Sequence, residues 1–138
     1  MRYLGLDLGT KTLGIAISDS LGMIANPLTT LKYDTYEDLL EKLNDIIQEY
    51  DIAGIALGLP KNMDNSMGFA SRRSLEFKEF LEKNIDIEIT LVDERLSTIE
   101  AEKYLLSADM SRKKRKQHID AVAASVILNT YLRMKGRE

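Results

Sequence analysis

The chain reads as an α/β domain built on a mixed five-stranded sheet, and three features of its sequence predict this. It opens with closely spaced short apolar runs joined by glycine-containing turns, the mark of hairpins. It then alternates amphipathic helical segments with apolar strands, the mark of parallel crossover units. At 138 residues it is long enough for one well-buried core. With no linker, repeat or low-complexity stretch to divide it, residues 1–138 are expected to form a single domain.

Taken in order, residues 3–8 and 13–18 flank the turn Gly9-Thr10-Lys11-Thr12, a tight hairpin with a glycine expected where the backbone needs an unusual φ. The turn at 19–22 leads to a third strand over 23–31. Pro27 inside it cannot donate to a ladder, so this strand belongs at an edge. Over 34–50, Leu39, Leu40, Leu43, Ile46 and Ile47 recur at helical spacing, with Asp34 and Glu37 as a capping pair. Residues 52–59, IAGIALGL, are short and almost wholly apolar, as a central strand covered on both faces must be.

A polar loop follows at 61–65, then a helix over 66–83 with Ala70, Phe77, Phe80 and Leu81 on its inner side. Residues 87–92 alternate Ile87, Ile89 and Leu91 with polar partners and run into Asp93-Glu94-Arg95. Ser97-Thr98-Ile99-Glu100 fits a capping box opening a helix to 107. The basic run Arg112-Lys113-Lys114-Arg115-Lys116 separates that helix from a last one over 119–134, whose buried stripe is Ile119, Val122, Ala123, Val126 and Ile127. The first three strands should pair antiparallel; the fourth and fifth should join parallel through helices.

Composition narrows the chemistry. The net charge of −3 provides no global basic field, so nucleic acid would need a local patch. The absence of cysteine rules out a disulfide scaffold, a thiol nucleophile and a thiolate zinc site. One histidine, His118, cannot build a histidine metal cage. No apolar run is long enough to span a bilayer and no signal-peptide core opens the chain, so a soluble, cytoplasmic protein is expected.

What remains is carboxylate chemistry. Asp7 sits among Leu4, Leu6 and Leu8, where a charge losing its water needs a positive partner. Gly5, Gly9 and Gly14 are expected to leave room for a ligand beside it. Asp93-Glu94 closes the fifth strand, and Asp120 is placed in the first turn of the last helix. Parallel strands put their carboxyl ends on one side, where ligands bind. If the last helix starts there, Asp7, Glu94 and Asp120 converge into a cluster that repels itself unless cations intervene. Mg²⁺ or Mn²⁺ suits all-oxygen ligands, and two such ions about 3.5–4 Å apart can serve an in-line phosphoryl displacement.

Each acid also has a plainer role. Asp7 could cap the turn, Asp93-Glu94-Arg95 could be a surface turn with its own ion pair, and Asp120 could complement its helix dipole. The basic run could be a solvated loop. Read as a binding surface, Arg112 to Lys116 lies at the rim of the acids, extended by Lys11, Lys61, Arg72 and Arg73, to contact phosphates without reading sequence. Phe69 is the one aromatic near that rim suited to stacking a base.

Four segments make the sequence resemble the YqgF (RuvX) family of the RNase H-like nuclease superfamily over nearly its whole length. These are LGLDLGTKTLGIAISD, GLPKNMDNS, DERLSTIEAE and HIDAVAASVILNTYL. Members of that family are described as nucleases linked to maturation of the 5′ end of pre-16S ribosomal RNA, and as Holliday junction resolvases. The resemblance implies an RNase H-like sheet of order 3-2-1-4-5 and marks Asp7, Glu94 and Asp120 as the metal-binding acids. The chain departs from the family pattern at Thr12, where many members carry arginine, and at Asn65, where glycine is usual.

The expected function is therefore a Mg²⁺- or Mn²⁺-dependent endonuclease acting on structured RNA, with Asp93 as a fourth ligand or as the group that orients Arg95. Junction-selective DNA cleavage is the alternative within the class, and it would need a homodimer rather than a monomer. Outside the class stand nucleotide binding, from the likeness of Asp7 to Lys11 to the phosphate turn of actin-like kinases, and RNA binding without turnover.

Overall fold

The computed structural model describes residues 1–60, 68–93 and 112–136, with side chains from Ile119 onward in the last of these. Strands β1 (Arg2–Leu8), β2 (Thr12–Ser18), β3 (Ala25–Lys32), β4 (Ile52–Leu59) and β5 (Glu88–Asp93) form one sheet in the order β3-β2-β1-β4-β5. β1, β2 and β3 pair antiparallel, while β4 pairs parallel with β1 and β5 parallel with β4. The order 3-2-1-4-5 and the mixed pairing are those expected. Pro27 stands on edge strand β3 beside a register shift, where a missing donor costs the ladder least.

Helices α1 (Tyr36–Tyr50) and α2 (Phe69–Asn84) cover one face, and α3 (Arg112–Lys135) covers the other. Strand alternation sorts the side chains between them. Leu4, Leu6, Leu13, Ile15, Ile55 and Leu57 pack with Leu39 and Leu43 of α1 and Phe77 and Leu81 of α2. On the second face Ala16, Ala56 and Val92 meet Ala124, Ile127, Leu128 and Tyr131 of α3. Burying each large side chain of this kind contributes about 1.5–3 kcal/mol, so the two faces together fix the sandwich.

Glycine decides how closely α3 sits. A Cβ at Gly5 would lie 2.6 Å from the Ala124 carbonyl oxygen, and one at Gly14 would lie 2.1 Å from that of Asp120. The space expected to admit a ligand at these glycines is filled by α3 itself. The hairpin turn also differs from expectation, since the left-handed glycine among the described residues is Gly22 (φ 69) in the β2–β3 turn, not Gly9.

Two helix starts differ as well. The cap of α1 is Thr35, whose hydroxyl accepts from the Asp38 backbone N–H at 3.1 Å, rather than Asp34 with Glu37. α3 begins at Arg112, so the basic run forms its first turns instead of a separating loop. Lysine and arginine are good helix formers, and no proline or glycine interrupts them. The expected loop over 61–65 and helix over 97–107 lie outside the described residues. Among the described residues no helix is long and apolar enough to cross a membrane.

Candidate functional site

Asp7 escapes the leucines around it by strand alternation. Leu4, Leu6 and Leu8 point into the α1/α2 core, so Asp7 shares the α3 face with Tyr3 and Gly5 and stays half-buried. Its ladder partner is Gly14. Gly14 is also where α3 touches the sheet, against the backbone of Asp120. Asp7 and Asp120, 113 positions apart by their numbers, thus both neighbour Gly14, one as its ladder partner and the other through its backbone.

Two residues before Gly14 on the same face, the Thr12 hydroxyl donates to Asp120 Oδ2 at 2.9 Å. That bond replaces the expected reason for Asp120's position. With α3 starting at Arg112, Asp120 lies more than two turns in, and the helix dipole acts only within the first turn. A threonine on the strand, not the dipole, holds this carboxylate. A donated hydrogen bond on one oxygen leaves Asp120 Oδ1 for another partner.

Asp93 closes β5 at the same end of the sheet as Asp7, opposite Leu59. Its alternation with Ile89 and Leu91 puts it on the α1/α2 side, exposed and across the sheet from Asp7. Glu94, Arg95 and Lys61 lie outside the described residues. The described residues contain no group of three acidic or histidine side chains placed to hold a metal ion. Of the three acids expected to bind metal, Asp7 and Asp120 lie among the described residues. Carboxylates offer hard oxygen donors, a chemistry that would suit Mg²⁺ or Mn²⁺ rather than a softer ion.

The turn beside the acids is braced. Gly9 N–H donates to the Thr12 carbonyl at 2.7 Å, Tyr33 N–H to the Lys11 carbonyl at 3.1 Å, and the Tyr33 hydroxyl to the Gly9 carbonyl at 2.5 Å. Burial pushes the Tyr33 hydroxyl above its usual pKa, with the Tyr36 charge adding to it and Arg73 opposing. α2 is tied to the same turn, as Arg73 NH1 reaches Thr10 Oγ1 at 3.4 Å, and Ser71 donates to the Pro60 carbonyl at the end of β4. Arg72 lies over the ring of Phe69, 5.7 Å from its centroid, and that ring is 84% exposed. Lys11, Arg72 and Arg73 therefore border one end of the sheet together. For Arg112, Lys113, Lys114, Arg115 and Lys116 the structure gives the backbone alone, helical in the turns of α3 that lead to Asp120.

Sequence reasoning named Gly14 as room for a ligand and Thr12 as a departure from the family pattern, and missed that they seat and hold Asp120. Their signal was the alternation Thr12-x-Gly14, which places a hydroxyl and a gap on the face that Asp7 uses.

A family model described as RuvX: Holliday junction resolvase matches residues 1–134. A protein of Halothermothrix orenii named "Putative pre-16S rRNA nuclease" is 46% identical over 137 residues, covering 99% of this chain and 98% of the relative. One of the same name from Staphylococcus haemolyticus is 51% identical over 134 residues, covering 95% and 94%. Among solved structures, T. thermophilus RuvC in complex with a Holliday junction substrate aligns with a TM-score of 0.62 at 13% identity over 98% of this chain and 96% of that one. The fowlpox virus Holliday junction resolvase aligns at 0.56 with 16% identity over 97% and 99%. At such identities the structural likeness speaks for the fold, which is the RNase H-like one expected.

Proposed function

The chain belongs to the RuvX family, and from that premise we propose that it is a metal-dependent endonuclease of structured RNA that processes the 5′ end of pre-16S rRNA in the cytoplasm. The observation that carries this reading is that Asp7 and Asp120 both neighbour Gly14, at the sheet end that Arg72, Arg73 and Lys11 border. The names of the curated relatives supply the RNA.

In this reading Asp7, Asp120 and Glu94 hold Mg²⁺ or Mn²⁺, and Asp93 lies beyond the first set of ligands. When bound, such ions supply the positive charge that clamps the attacking and leaving oxygens of a phosphodiester. The chain's own residues do the rest. Thr12 fixes one oxygen of Asp120, Gly14 lets the backbone of Asp120 seat against the sheet, and the braced turn positions Lys11. Lys11, Lys61, Arg72, Arg73, Arg95 and the run Arg112 to Lys116 hold the strand by its phosphates, which positions it without selecting sequence.

The test is cleavage of a precursor-rRNA leader by purified protein. Cutting should require added divalent metal and vanish in Asp7→Asn; full activity of Asp7→Asn protein would remove the mechanism. The family description and the RuvC likeness favour a second reading, cleavage of a Holliday junction. That reaction needs two opposed active sites and hence a homodimer, so a strict monomer by light scattering, with and without junction DNA, would refute it.

A further inference from the structure

On the β3 side of the acids a cleft of about 410 Å³ opens between the β1–β2 turn and the start of α1, with Lys11, Thr12, Lys32 and Tyr33 along its sheet wall. On the helix wall Lys42 answers Asp38 at 3.2 Å and donates to the Lys32 carbonyl at 2.9 Å, so those two charges are spoken for. Asp34 is the remaining acid of the lining. Lys11 and Lys32 are both exposed, and among the described residues neither ammonium has an acidic partner. Three lysines against two aspartates make the cleft net positive on a chain whose net charge is −3.

Its position is what gives the charge a use. Lys32 is the ladder partner of Thr12, so both side chains leave the sheet on the same face. The Thr12 hydroxyl holds Asp120 on that face. The cleft thus shares Thr12 with the hydrogen bond that holds one of the two acids, and Arg73, which reaches Thr10 and acts on Tyr33, stands near its sheet wall. Its floor is rigid, because the backbone under Lys11 is bonded to Tyr33 on one side and closed by the Gly9–Thr12 bond on the other.

We infer that this cleft is a phosphate-binding subsite, in which Lys11 and Lys32 hold the backbone of the RNA strand as it passes from the acids toward the β3 edge. The inference rests on the nuclease reading and adds Lys32 and a direction to it. An extended strand leaving the acids is then held by the α2 arginines and, further along, by this lysine pair. Flexible ammoniums suit that task, since a phosphate needs charge there and no fixed geometry.

The experiment measures equilibrium binding of Asp7→Asn protein, which leaves the RNA uncut, to a labelled precursor-rRNA leader in EDTA over a range of salt. Each phosphate contact contributes roughly 0.7–0.9 to the slope of log K against log salt. Adding Lys32→Ala should lower the slope by about that amount, and Lys11→Ala likewise. Lys32→Arg should restore it, and Lys83→Ala, in the last turn of α2 at the far end of the molecule, should leave it unchanged. Melting temperature checks that each variant is folded; if Lys32→Ala is not, Lys11→Ala carries the test. An unchanged slope in both alanine variants, with the parent still binding RNA, overturns the subsite and leaves the nuclease reading standing. A slope loss on a four-way DNA junction but none on the leader overturns the assignment to an RNA strand. Failure of the parent to bind either nucleic acid refutes the function itself.

Discussion

Gly14→Ala is the substitution that most sharply separates a helix seated on the sheet from one merely near it. The new Cβ would stand 2.1 Å from the Asp120 carbonyl oxygen, 2.3 Å from its carbon and 2.9 Å from its Cβ. The first two are backbone atoms and cannot rotate away. Opening 2.1 Å to an ordinary contact of 3.4 Å moves this part of α3 off the sheet by more than 1 Å. Overpacking of that kind costs about 1–3 kcal/mol of stability. The same shift stretches the 2.9 Å bond from Thr12 and carries Asp120 away from Asp7. Misplacing a catalytic group by about 1 Å costs on the order of 10²-fold in rate. Urea denaturation and metal-dependent cleavage of an RNA leader measure the two losses. Gly136→Ala serves as control, because a Cβ there would meet nothing nearer than 3.6 Å. If Gly14→Ala keeps its stability within about 0.5 kcal/mol and its cleavage rate intact, α3 does not rest where the geometry places it.

Thr12→Val removes the hydroxyl that holds Asp120 and should weaken Mn²⁺ binding about 10- to 100-fold by titration calorimetry, with Thr12→Ser recovering it. Thr35→Ala deletes the cap of α1 and should lower stability by about 1 kcal/mol in urea, with no change in RNA binding. Burial lifts the hydroxyls of Tyr33, Tyr36 and Tyr131 above the ordinary 10.0. The unfolded chain therefore ionises first. Their contribution is complete below pH 10.0 and is lost as pH rises through the raised values, a fall in the urea midpoint that Tyr33→Phe should reduce. A midpoint that rises with pH in that range would contradict this.

Much of the fold was legible because apolar spacing carries it. The central strand at 52–59 was read to its observed bounds, since an unbroken apolar run leaves no other option. Pro27 marked the edge of the sheet because a missing donor can be tolerated in few places. What spacing could not show was the start of α3. Arg112 to Lys116 carry no apolar stripe, and a helix of charged residues shows no periodicity against solvent. That error also misplaced Asp120 in a first turn, and so offered the dipole as a reason for its presence.

The glycines were misread for a related reason. A missing side chain announces close approach but not what approaches, and at Gly5 and Gly14 the visitor is the chain's own helix. Asp7 was legible as an oddity among leucines. Its escape to the opposite face, and the role of Thr12, required the register of β1 against β2. Glu94 rests on the sequence alone, on its place after the fifth strand and on the family motif, because it lies outside the described residues.

The decisive measurement is anomalous diffraction from a crystal of the protein soaked in Mn²⁺ with an uncleavable RNA strand. Manganese peaks should lie between the carboxylates of Asp7 and Asp120, within coordination distance of both, with a phosphate of the strand against them. Mn²⁺ bound elsewhere, or a strand docked on another face while the dissolved protein still cuts RNA, would contradict the claim that these two acids form the cutting centre.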